Sequence, residues 1–205
     1  MARDSRTARA AWLALWLGSA LLAGAQSCRA ESLYTLDQRF GSVGFSVNHL
    51  GLFSSEGSFQ RFGCSLDLDV AKPERSRIDV KIDARSVAMS DRSAMEKLLS
   101  HDFFDVQDYP SISFHSTGIE PVGSSRYVIR GMLGLRGVER PQAFDAVLIG
   151  RSTDPTTGYE TADFDVTGKL KRSDFGMNSD RIFISDTVAL IIHMRIGLRP
   201  EDRAS

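Results

Sequence analysis

The sequence predicts an all-β protein, an antiparallel up-and-down β-barrel of about eight strands with one short helix. Three observations predict this class. Along most segments after residue 30, apolar and polar residues alternate with the period of two that half-buried strands have. Turn sequences rich in Gly, Pro, Ser and Asp separate these segments, as hairpin connections do. A single segment has the 3.6-residue period of an amphipathic helix.

The N-terminal residues 1–30 are expected to be a secretory signal peptide. Arg3, Arg6 and Arg9 precede an apolar run at residues 10–23, and export signals have this order of charge and hydrophobicity. The run is too short to span a bilayer comfortably. We therefore predict that the segment is removed.

Two cleavage sites fit the small residues of this segment, one after Ala25 and one after Ala30. Cleavage at either site predicts a periplasmic or secreted protein, because no second apolar segment of spanning length follows. The remaining chain is then predicted to be one domain at residues 31–200 with a short polar tail at residues 201–205.

Composition and charge narrow the class of protein further. The chain of 205 residues is 25% charged and 42% hydrophobic, which is typical of a globular domain with a sizeable core. Residues 1–30 carry four Arg and one Asp, so their removal takes the formal net charge from −1 to −4 and disfavours nucleic-acid binding. The two cysteines are Cys28 and Cys64, and cleavage after Ala30 removes the first of them. We therefore expect no disulfide and a small buried side chain at Cys64.

Four strands are predicted in the first part of the domain, where apolar residues recur at every second position. Their bounds are residues 33–37, 43–49, 58–69 and 78–82. The fourth shows the pattern most plainly, because Ile78, Val80 and Ile82 alternate with charged residues. These strands are expected to have one face in the barrel interior and one face in water.

A helix is predicted after these strands, where the hydrophobic period changes. Ser90 or Asp91 can cap its N-terminus. Met95, Leu98 and Leu99 then fall on one side, and charged residues fall on the other. The helix is expected to cover one end of the barrel.

A turn with paired aromatic residues follows the helix. Phe103 and Phe104 are too apolar to remain in water, so we expect them to pack beneath the turn, either as a plug of the barrel end or as a gate for a ligand. The carboxylates of Asp102, Asp105 and Asp108 are expected to stay outside the core.

Further strands are predicted after this turn. They begin after Pro110, with Ile112 and Phe114 on one face, and continue at residues 127–135, 144–149, 162–170 and 187–198. Hairpin turns are expected at residues 121–125 and 154–158. The last strand has apolar residues on both faces, so we expect both faces to be covered for part of its length.

Small residues on predicted inner faces leave two interpretations of the interior. Gly131, Ala162 and Gly168 stand between large apolar residues of their strands. Their small size could leave volume for a slender ligand, or neighbouring Phe and Leu side chains could fill it.

Eight segments, in this order and across nearly the whole domain, resemble the YceI-like polyisoprenoid-binding family. They are YTLD at 34–37, VGFSVNHLG at 43–51, GSF at 57–59, IDARS at 82–86, DFFD at 102–105, YPSISFHST at 109–117, GMLGLRGV at 131–138 and RSDFGM at 172–177. The resemblance implies a lipocalin-like barrel whose apolar interior takes the prenyl chain of a polyisoprenoid or quinone-like lipid, in a secreted or periplasmic protein.

Three positions depart from the pattern of that family. Phe40 stands where a His-Ser pair often begins, Leu98 stands where a helix His is common, and Glu139 replaces the usual Thr. These departures change polar residues at the ends of the barrel, so they affect the expected lipid head group more than the expected fold.

The apolar lining of the ligand site is predicted from inner-face positions and from the paired aromatic residues. It comprises Phe45, Val47, Phe59, Val80, Ile82, Phe103, Phe104, Phe114, Leu133, Phe164 and Val166. His49 and Arg172 are the polar candidates for the head group. A histidine hydrogen-bonded at a strand end is the alternative interpretation of His49, and an ion pair that fixes the loop at residues 171–181 is the alternative for Arg172.

Three functions fit these observations. The first is a non-catalytic carrier that holds one isoprenoid-type lipid in the barrel, as a monomer or a homodimer. The second is an enzyme that acts on a small lipid or quinone through His49 and Arg172. The third is a barrel filled by its own side chains that binds a partner on its outer surface. Because the four histidines have no metal-ligand spacing and no serine lies in a nucleophile elbow, we predict no catalytic residue, no metal and no catalytic cofactor.

Overall fold

The alternating segments form eleven β-strands and one α-helix. The computed structural model describes residues 34–69, 72–156 and 158–198, so the expected signal peptide, Cys28 and the polar tail lie outside the described residues. The strands are β1 Tyr34–Leu36, β2 Ser42–His49, β3 Phe53–Phe59, β4 Phe62–Asp67, β5 Arg77–Asp83, β6 Val87–Met89, β7 Ser111–Pro121, β8 Arg126–Leu135, β9 Val138–Thr153, β10 Glu160–Lys171 and β11 Ile184–Leu198. The helix α1 is Arg92–Leu99, and short 3₁₀ turns lie at Gln38–Phe40, Pro73–Arg75, Ala84–Ser86 and Arg172–Phe175.

Antiparallel pairing closes the sheet into a barrel. β1 pairs with β11 on one side and with β4 on the other, and this double pairing joins the two ends of the sheet. β2 pairs with β11 and β3. Because β1 and β2 both pair with β11, they lie one after the other along the same side of that strand. The remaining strands from β4 to β11 follow in the order β4, β5, β7, β8, β9, β10 and β11.

Six of the eleven strands are arranged in tandem. β1 is followed by β2, β3 by β4 and β5 by β6, and a bend separates the members of each pair. The bends are the 3₁₀ turns Gln38–Phe40 and Ala84–Ser86 and the short connection at residues 60–61. Counted by path, the barrel has eight antiparallel strands, and the predicted fold class is confirmed.

The two ends of the barrel differ. One end contains α1, the aromatic turn and the β2–β3 turn at residues 50–52, and is named the helix end. The opposite end contains the β7–β8 connection at residues 122–125 and is named the far end. β6 is the last strand in the sheet order, and the chain between β6 and β7 forms the helix and the aromatic turn.

Several strand predictions need correction. β9 runs over residues 138–153, well beyond the predicted 144–149. The predicted strand at residues 58–69 is in fact two strands, β3 and β4, and β3 begins earlier, at Phe53. The prediction missed this start because polar residues on the segment hide its alternation. The outer face of β11 is not covered as expected, since Ile191 on that face is 46% exposed.

The helix begins where its cap was predicted. Asp91 Oδ1 accepts hydrogen bonds from the backbone N–H groups of Ser93 and Ala94, at 2.8 and 3.2 Å. Phe103 and Phe104 are buried beneath the following turn, as expected. Asp105 was expected outside the core and is only 6% exposed. Its Oδ2 lies 2.9 Å from His101 Nδ1, and this hydrogen bond compensates the burial of the carboxylate.

Aromatic rings occupy the space above two of the inner-face glycines. A Cβ atom on Gly131 would overlap the Phe114 ring and the His115 carbonyl oxygen, and one on Gly168 would lie 2.6 Å from the Phe144 ring. At these two glycines the interpretation that small residues leave room for a ligand is therefore wrong, because neighbouring Phe rings fill the space. The third small residue, Ala162, does line a cavity of the barrel. Phe114 and Phe144 also pack edge to face, with ring centroids 5.1 Å apart.

No helix within the described residues is both long and apolar enough to cross a bilayer.

Candidate functional site: two apolar cavities in the barrel

The helix end of the barrel contains a cavity of about 470 Å³ with an almost entirely apolar wall. The side chains of this wall come from the inner faces of the strands, from α1 and from the aromatic turn. With the exception of Phe164, all the predicted apolar residues line it: Phe45, Val47, Phe59, Val80, Ile82, Phe103, Phe104, Phe114, Leu133 and Val166. A volume of this size is within the range of cavities that take small molecules.

A second cavity of about 430 Å³ lies toward the far end, and Phe164 lines it. Both cavities share four wall residues at mid-barrel, which are Ile78, Ile129, Val166 and Met194. The second cavity is more polar, since Asp69, Arg151 and Glu160 contribute to its wall. The barrel interior therefore contains open space. The third function would instead require an interior filled by the protein's own side chains.

His49 is placed in the first cavity by the register of β2. It is the last residue of β2 and lines the cavity beside Ile184, its pairing partner in β11. The imidazole ring stacks on Phe53, with centroids 4.8 Å apart and planes 7° from parallel. Its Nε2 atom is buried and has no hydrogen-bond partner among the described residues. A buried polar atom without a partner is unfavourable, so a ligand atom that bonded to it would be favoured.

Two charged residues in the wall of the first cavity were not predicted from the sequence. Lys97 of α1 and Asp180 of the loop before β11 both line the first cavity, and their side chains form an ion pair. The pair joins the helix to that loop across the cavity wall. Lys97 looks like an ordinary polar-face residue of an amphipathic helix, so sequence periodicity carried no signal for it.

Arg172 lies in the same wall, but its guanidinium is already bonded to the backbone. It is buried and donates to the carbonyl oxygens of Met177 and Ser179 at 2.8 and 2.7 Å. It also donates to those of Ile184 and Ser185, each at 3.1 Å. Burial lowers the pKa of this guanidinium, and the nearby Asp186 carboxylate partly offsets that effect. Arg172 thus fixes the loop, as the alternative interpretation predicted. It does so through hydrogen bonds to backbone carbonyl groups, and not through the ion pair that was predicted.

The same loop is fixed by Asp186. Its carboxylate accepts hydrogen bonds from the Ser173 backbone N–H at 3.0 Å and from the Ser173 hydroxyl at 2.7 Å. Burial acts to raise the pKa of Asp186, but the Ser173 hydrogen bonds and the positive charges of Arg181 and Arg172 outweigh it, so the pKa lies below the usual value. These hydrogen bonds tie the loop to β11, and Arg172, Met177 and Asp180 of the loop line the cavity.

Aromatic side chains also pack against one another and against Arg172 at the helix end. Phe104 packs on Phe59 with centroids 5.9 Å apart, and the Phe103 ring lies 6.0 Å from the Arg172 guanidinium carbon. Among the departures from the family pattern, Leu98 lines the first cavity, whereas Phe40 and Glu139 line neither cavity. Leu98 therefore contributes an apolar side chain to the wall of the first cavity.

Metal binding and nucleophilic chemistry depend on how the His, Cys, Asp and Glu side chains of the described residues are arranged. Within residues 34–69, 72–156 and 158–198, no three His, Cys, Asp or Glu side chains are grouped so that they could hold a metal ion. Cys64 is a free, half-buried thiol on the inner face of β4, and burial, with a smaller contribution from the Asp79 charge, raises its pKa to about 12. A thiol with so high a pKa is a poor nucleophile near neutral pH.

Known proteins resemble this chain in sequence and fold. A family model of the YceI-like domain matches residues 34–196. A UPF0312 protein of Azotobacter vinelandii is 37% identical over 186 residues, which are 91% of this chain and 96% of that protein. The crystal structure of Burkholderia cenocepacia BcnA has a TM-score of 0.70 at 23% identity and covers 78% of this chain and 98% of its own. A polyisoprenoid binding domain from Saccharophagus degradans has a TM-score of 0.57 at 14% identity, with 82% and 99% covered.

Proposed function

This chain belongs to the family of YceI-like domains, and from that premise we propose that it is a non-catalytic carrier of one prenyl lipid. The lipid is a polyisoprenoid or quinone-like amphiphile whose chain occupies the barrel interior. A fold relative from Saccharophagus degradans is a polyisoprenoid binding domain, and a ligand of the same class suits the interior of this barrel.

The observation that carries the proposal is the first cavity. Its wall is almost entirely apolar, and it includes His49, whose buried Nε2 atom has no hydrogen-bond partner among the described residues. An amphiphile with a long apolar chain and a small polar group matches this wall. Each buried CH₂ contributes about 0.8 kcal/mol before association costs, so a prenyl chain can bind tightly with few polar contacts.

A pair of adjacent substitutions on β11 tests the cavity as the binding site. Ile192 lines the first cavity and Ile191 points out of the barrel. Ile192→Trp fills part of the cavity, so we expect it to weaken the binding of a two-isoprene ubiquinone at least about tenfold. Ile191→Trp adds the same bulk on the outer face and is the matched control. Binding is measured by isothermal titration calorimetry.

The proposal fails if the unchanged protein does not bind the quinone, or if both tryptophan variants bind it as the unchanged protein does. Circular dichroism and thermal unfolding of both variants show whether each remains folded. A weakened Ile192→Trp that unfolds at the same temperature as Ile191→Trp locates the ligand in the cavity.

We propose that His49 Nε2 bonds to the polar group of the lipid. His49→Phe keeps a ring that can stack on Phe53 and removes the nitrogen. Since one hydrogen bond contributes about 1 kcal/mol, we expect the variant to bind farnesol about fivefold more weakly and to bind the hydrocarbon farnesene unchanged. Equal effects on both ligands would show that His49 acts only through the shape of the wall.

The proposed location of the carrier is the periplasm or the medium. Arg3, Arg6, Arg9 and the apolar run at residues 10–23 support export. Mass spectrometry of the mature N-terminus tests this proposal. Cleavage after Ala25 or Ala30 is the expected result, and an intact chain in the cytoplasm would contradict it.

A further inference from the structure

Three large apolar side chains at the helix end are exposed in the β2–β3 hairpin. Leu52 is 80% exposed, and Leu50 and Phe53 are each more than half exposed. None of these three residues lines either cavity. More than half of the surface of each of these residues is therefore in contact with water in the isolated chain.

The backbone of this hairpin holds a leucine in an unusual conformation. Leu50 and Gly51 have φ values of 51° and 72°, and the Leu52 N–H donates to the His49 carbonyl oxygen at 2.9 Å. This is the geometry of a type I′ turn, whose first central position favours Asn, Asp or Gly. A leucine at this position costs backbone energy, and its side chain is exposed to water. A contact outside the chain that buried this side chain would offset these two costs.

A second exposed segment lies beside the hairpin. Ile182 is 80% exposed and Phe183 is more than half exposed, just before β11 begins. Pairing of Ile184 with His49 brings this segment next to the hairpin. The apolar rim is defined as the five exposed residues of both segments: Leu50, Leu52, Phe53, Ile182 and Phe183.

The apolar rim is continuous with the wall of the first cavity. Phe183 belongs to both, because it lines the cavity and is also largely exposed. On the other segment, the ring of Phe53 stacks on His49, which lines the cavity. A hydrocarbon chain that leaves the cavity at this point would therefore meet apolar side chains on the outer surface.

The charge of the rim favours one kind of partner. Residues 49–54 and 181–184 contain a single charged side chain, Arg181, and the carboxylate of the preceding residue, Asp180, is paired with Lys97. Arg181 is exposed. Apolar residues beside a cation fit the boundary between lipid phosphates and acyl chains.

We propose that the apolar rim docks the protein on a lipid bilayer with anionic head groups, so that the first cavity opens toward the hydrocarbon of the membrane. This inference rests on the proposed carrier function, because a lipid with a long prenyl chain reaches a water-filled compartment only from a bilayer. Docking by the rim lets the chain pass between membrane and cavity with little exposure to water.

Vesicle flotation tests the docking surface. The whole chain and its variants are mixed with vesicles of phosphatidylethanolamine and phosphatidylglycerol, and all variants keep the same N-terminal residues. The double substitution Leu52→Ser and Ile182→Ser removes two rim side chains that line no cavity. We expect it to weaken vesicle binding at least about tenfold, because two large apolar side chains no longer enter the interface.

A matched control lies at the opposite end of the barrel. Val122 and Ile149 are 53% and 59% exposed and belong to the β7–β8 connection and to β9. The double substitution Val122→Ser and Ile149→Ser removes similar apolar area away from the rim, and we expect it to leave vesicle binding unchanged. Equal binding by the unchanged protein and the rim variant would overturn the proposal.

Arg181→Gln tests the electrostatic part of the contact. We expect it to weaken binding to vesicles with phosphatidylglycerol about fivefold and to leave weaker binding to pure phosphatidylcholine unchanged, because one cation near an anionic surface contributes about 1 kcal/mol. An equal change on both vesicle types would contradict an anionic partner.

Two further measurements separate the possible failures. Sedimentation velocity without vesicles shows whether the rim joins two copies of the chain. A dimer that becomes monomeric in the rim variant would overturn membrane docking. Titration with the two-isoprene ubiquinone tests the carrier function by itself. Equal quinone binding by the unchanged protein and the rim variant, together with lost vesicle binding in the variant, supports docking as a separate property.

Discussion

At the scale of single residues, packing across the barrel depends on contacts between strands. Phe114 lies over Gly131 and Phe144 lies over Gly168, so two Phe rings use the space that two glycines leave. The sequence placed Phe114, Gly131 and Gly168 on inner faces correctly, whereas Phe144 was predicted to lie in a strand without an assigned face. It carried no signal for which ring faces which glycine, because that depends on strand register and side-chain rotamers.

The substitution Gly131→Ala is predicted to destabilise the fold by about 2 kcal/mol or more, since its methyl group would overlap the Phe114 ring and the backbone carbonyl of His115. Gly63→Ala is the control, because a Cβ atom at Gly63 meets no heavy atom within 4 Å. Urea unfolding followed by circular dichroism measures the two free energies. Equal stability of both variants would contradict the close packing above Gly131.

The Cys64 thiol is predicted to resist alkylation near pH 8, because burial raises its pKa to about 12 and the reactive thiolate is scarce. Ser65→Cys places a thiol on the exposed outer face of the same strand and should react readily. Peptide mass spectrometry after iodoacetamide treatment distinguishes these sites from Cys28. Rapid labelling of Cys64 in the folded protein would contradict its burial.

The raised pKa of Cys64 also makes stability depend on pH. Between the usual thiol pKa of 9.0 and the folded value of about 12, the unfolded chain loses a proton that the folded chain keeps. Stability of the unchanged protein therefore falls as pH rises through this window. Cys64→Ala is expected to remove this part of the fall, and identical pH profiles would contradict it.

At the scale of elements, the loop between β10 and β11 is organised by one guanidinium. Arg172 donates to four backbone carbonyl groups and so gives each of them a hydrogen-bond partner, which buried backbone groups need. Arg136 adds a second anchor, donating to the carbonyl oxygens of Gly176 and His101, each at 2.7 Å. These bonds hold the loop against the aromatic turn.

Arg172→Lys is predicted to destabilise the protein by about 3 kcal/mol, because an ammonium group cannot reach four carbonyl groups in these directions. Arg126→Lys on the exposed start of β8 is the control and should change stability little. Limited proteolysis locates the effect, with faster cleavage expected between β10 and β11. Unchanged cleavage and stability would show that the four bonds contribute nothing.

Asp186→Asn is predicted to lower stability by about 1 kcal/mol near pH 7, after allowance for solvent screening, because a charged acceptor for Ser173 is lost. The folded pKa of Asp186 is lowered, so its contribution is present above the usual Asp pKa and is lost as pH falls through the folded value. The difference between variant and unchanged protein should therefore disappear in acid. A difference that is constant with pH would contradict the assignment.

Sequence periodicity located most elements, but their lengths depended on other forces. Alternation was strong in β5 and β10, where polar residues lie on the outer face, and these strands were found near their observed bounds. It was weak in β3 and β9, where pairing with neighbours extends each strand beyond its apolar residues. Asp105 was misjudged because its partner His101 became visible only in the folded turn.

At the scale of the whole molecule, barrel closure brings distant inner faces together around two cavities. The strand residues predicted to line a ligand site lie in the walls of these cavities, because side-chain parity determines which residues face inward and closure brings their faces together. Their contact with a ligand stays a prediction. The apolar rim was not predicted. Its residues lie in two segments that meet only through the pairing of β2 with β11, and single exposed apolar residues are common in any sequence.

Native mass spectrometry of the protein, purified without detergent from cells that naturally produce it, tests the central claim most directly. The account predicts one prenyl lipid bound per chain, released on unfolding and much reduced in Ile192→Trp but not in Ile191→Trp. A chain that repeatedly carries no lipid and takes up no added prenylquinone would contradict the account.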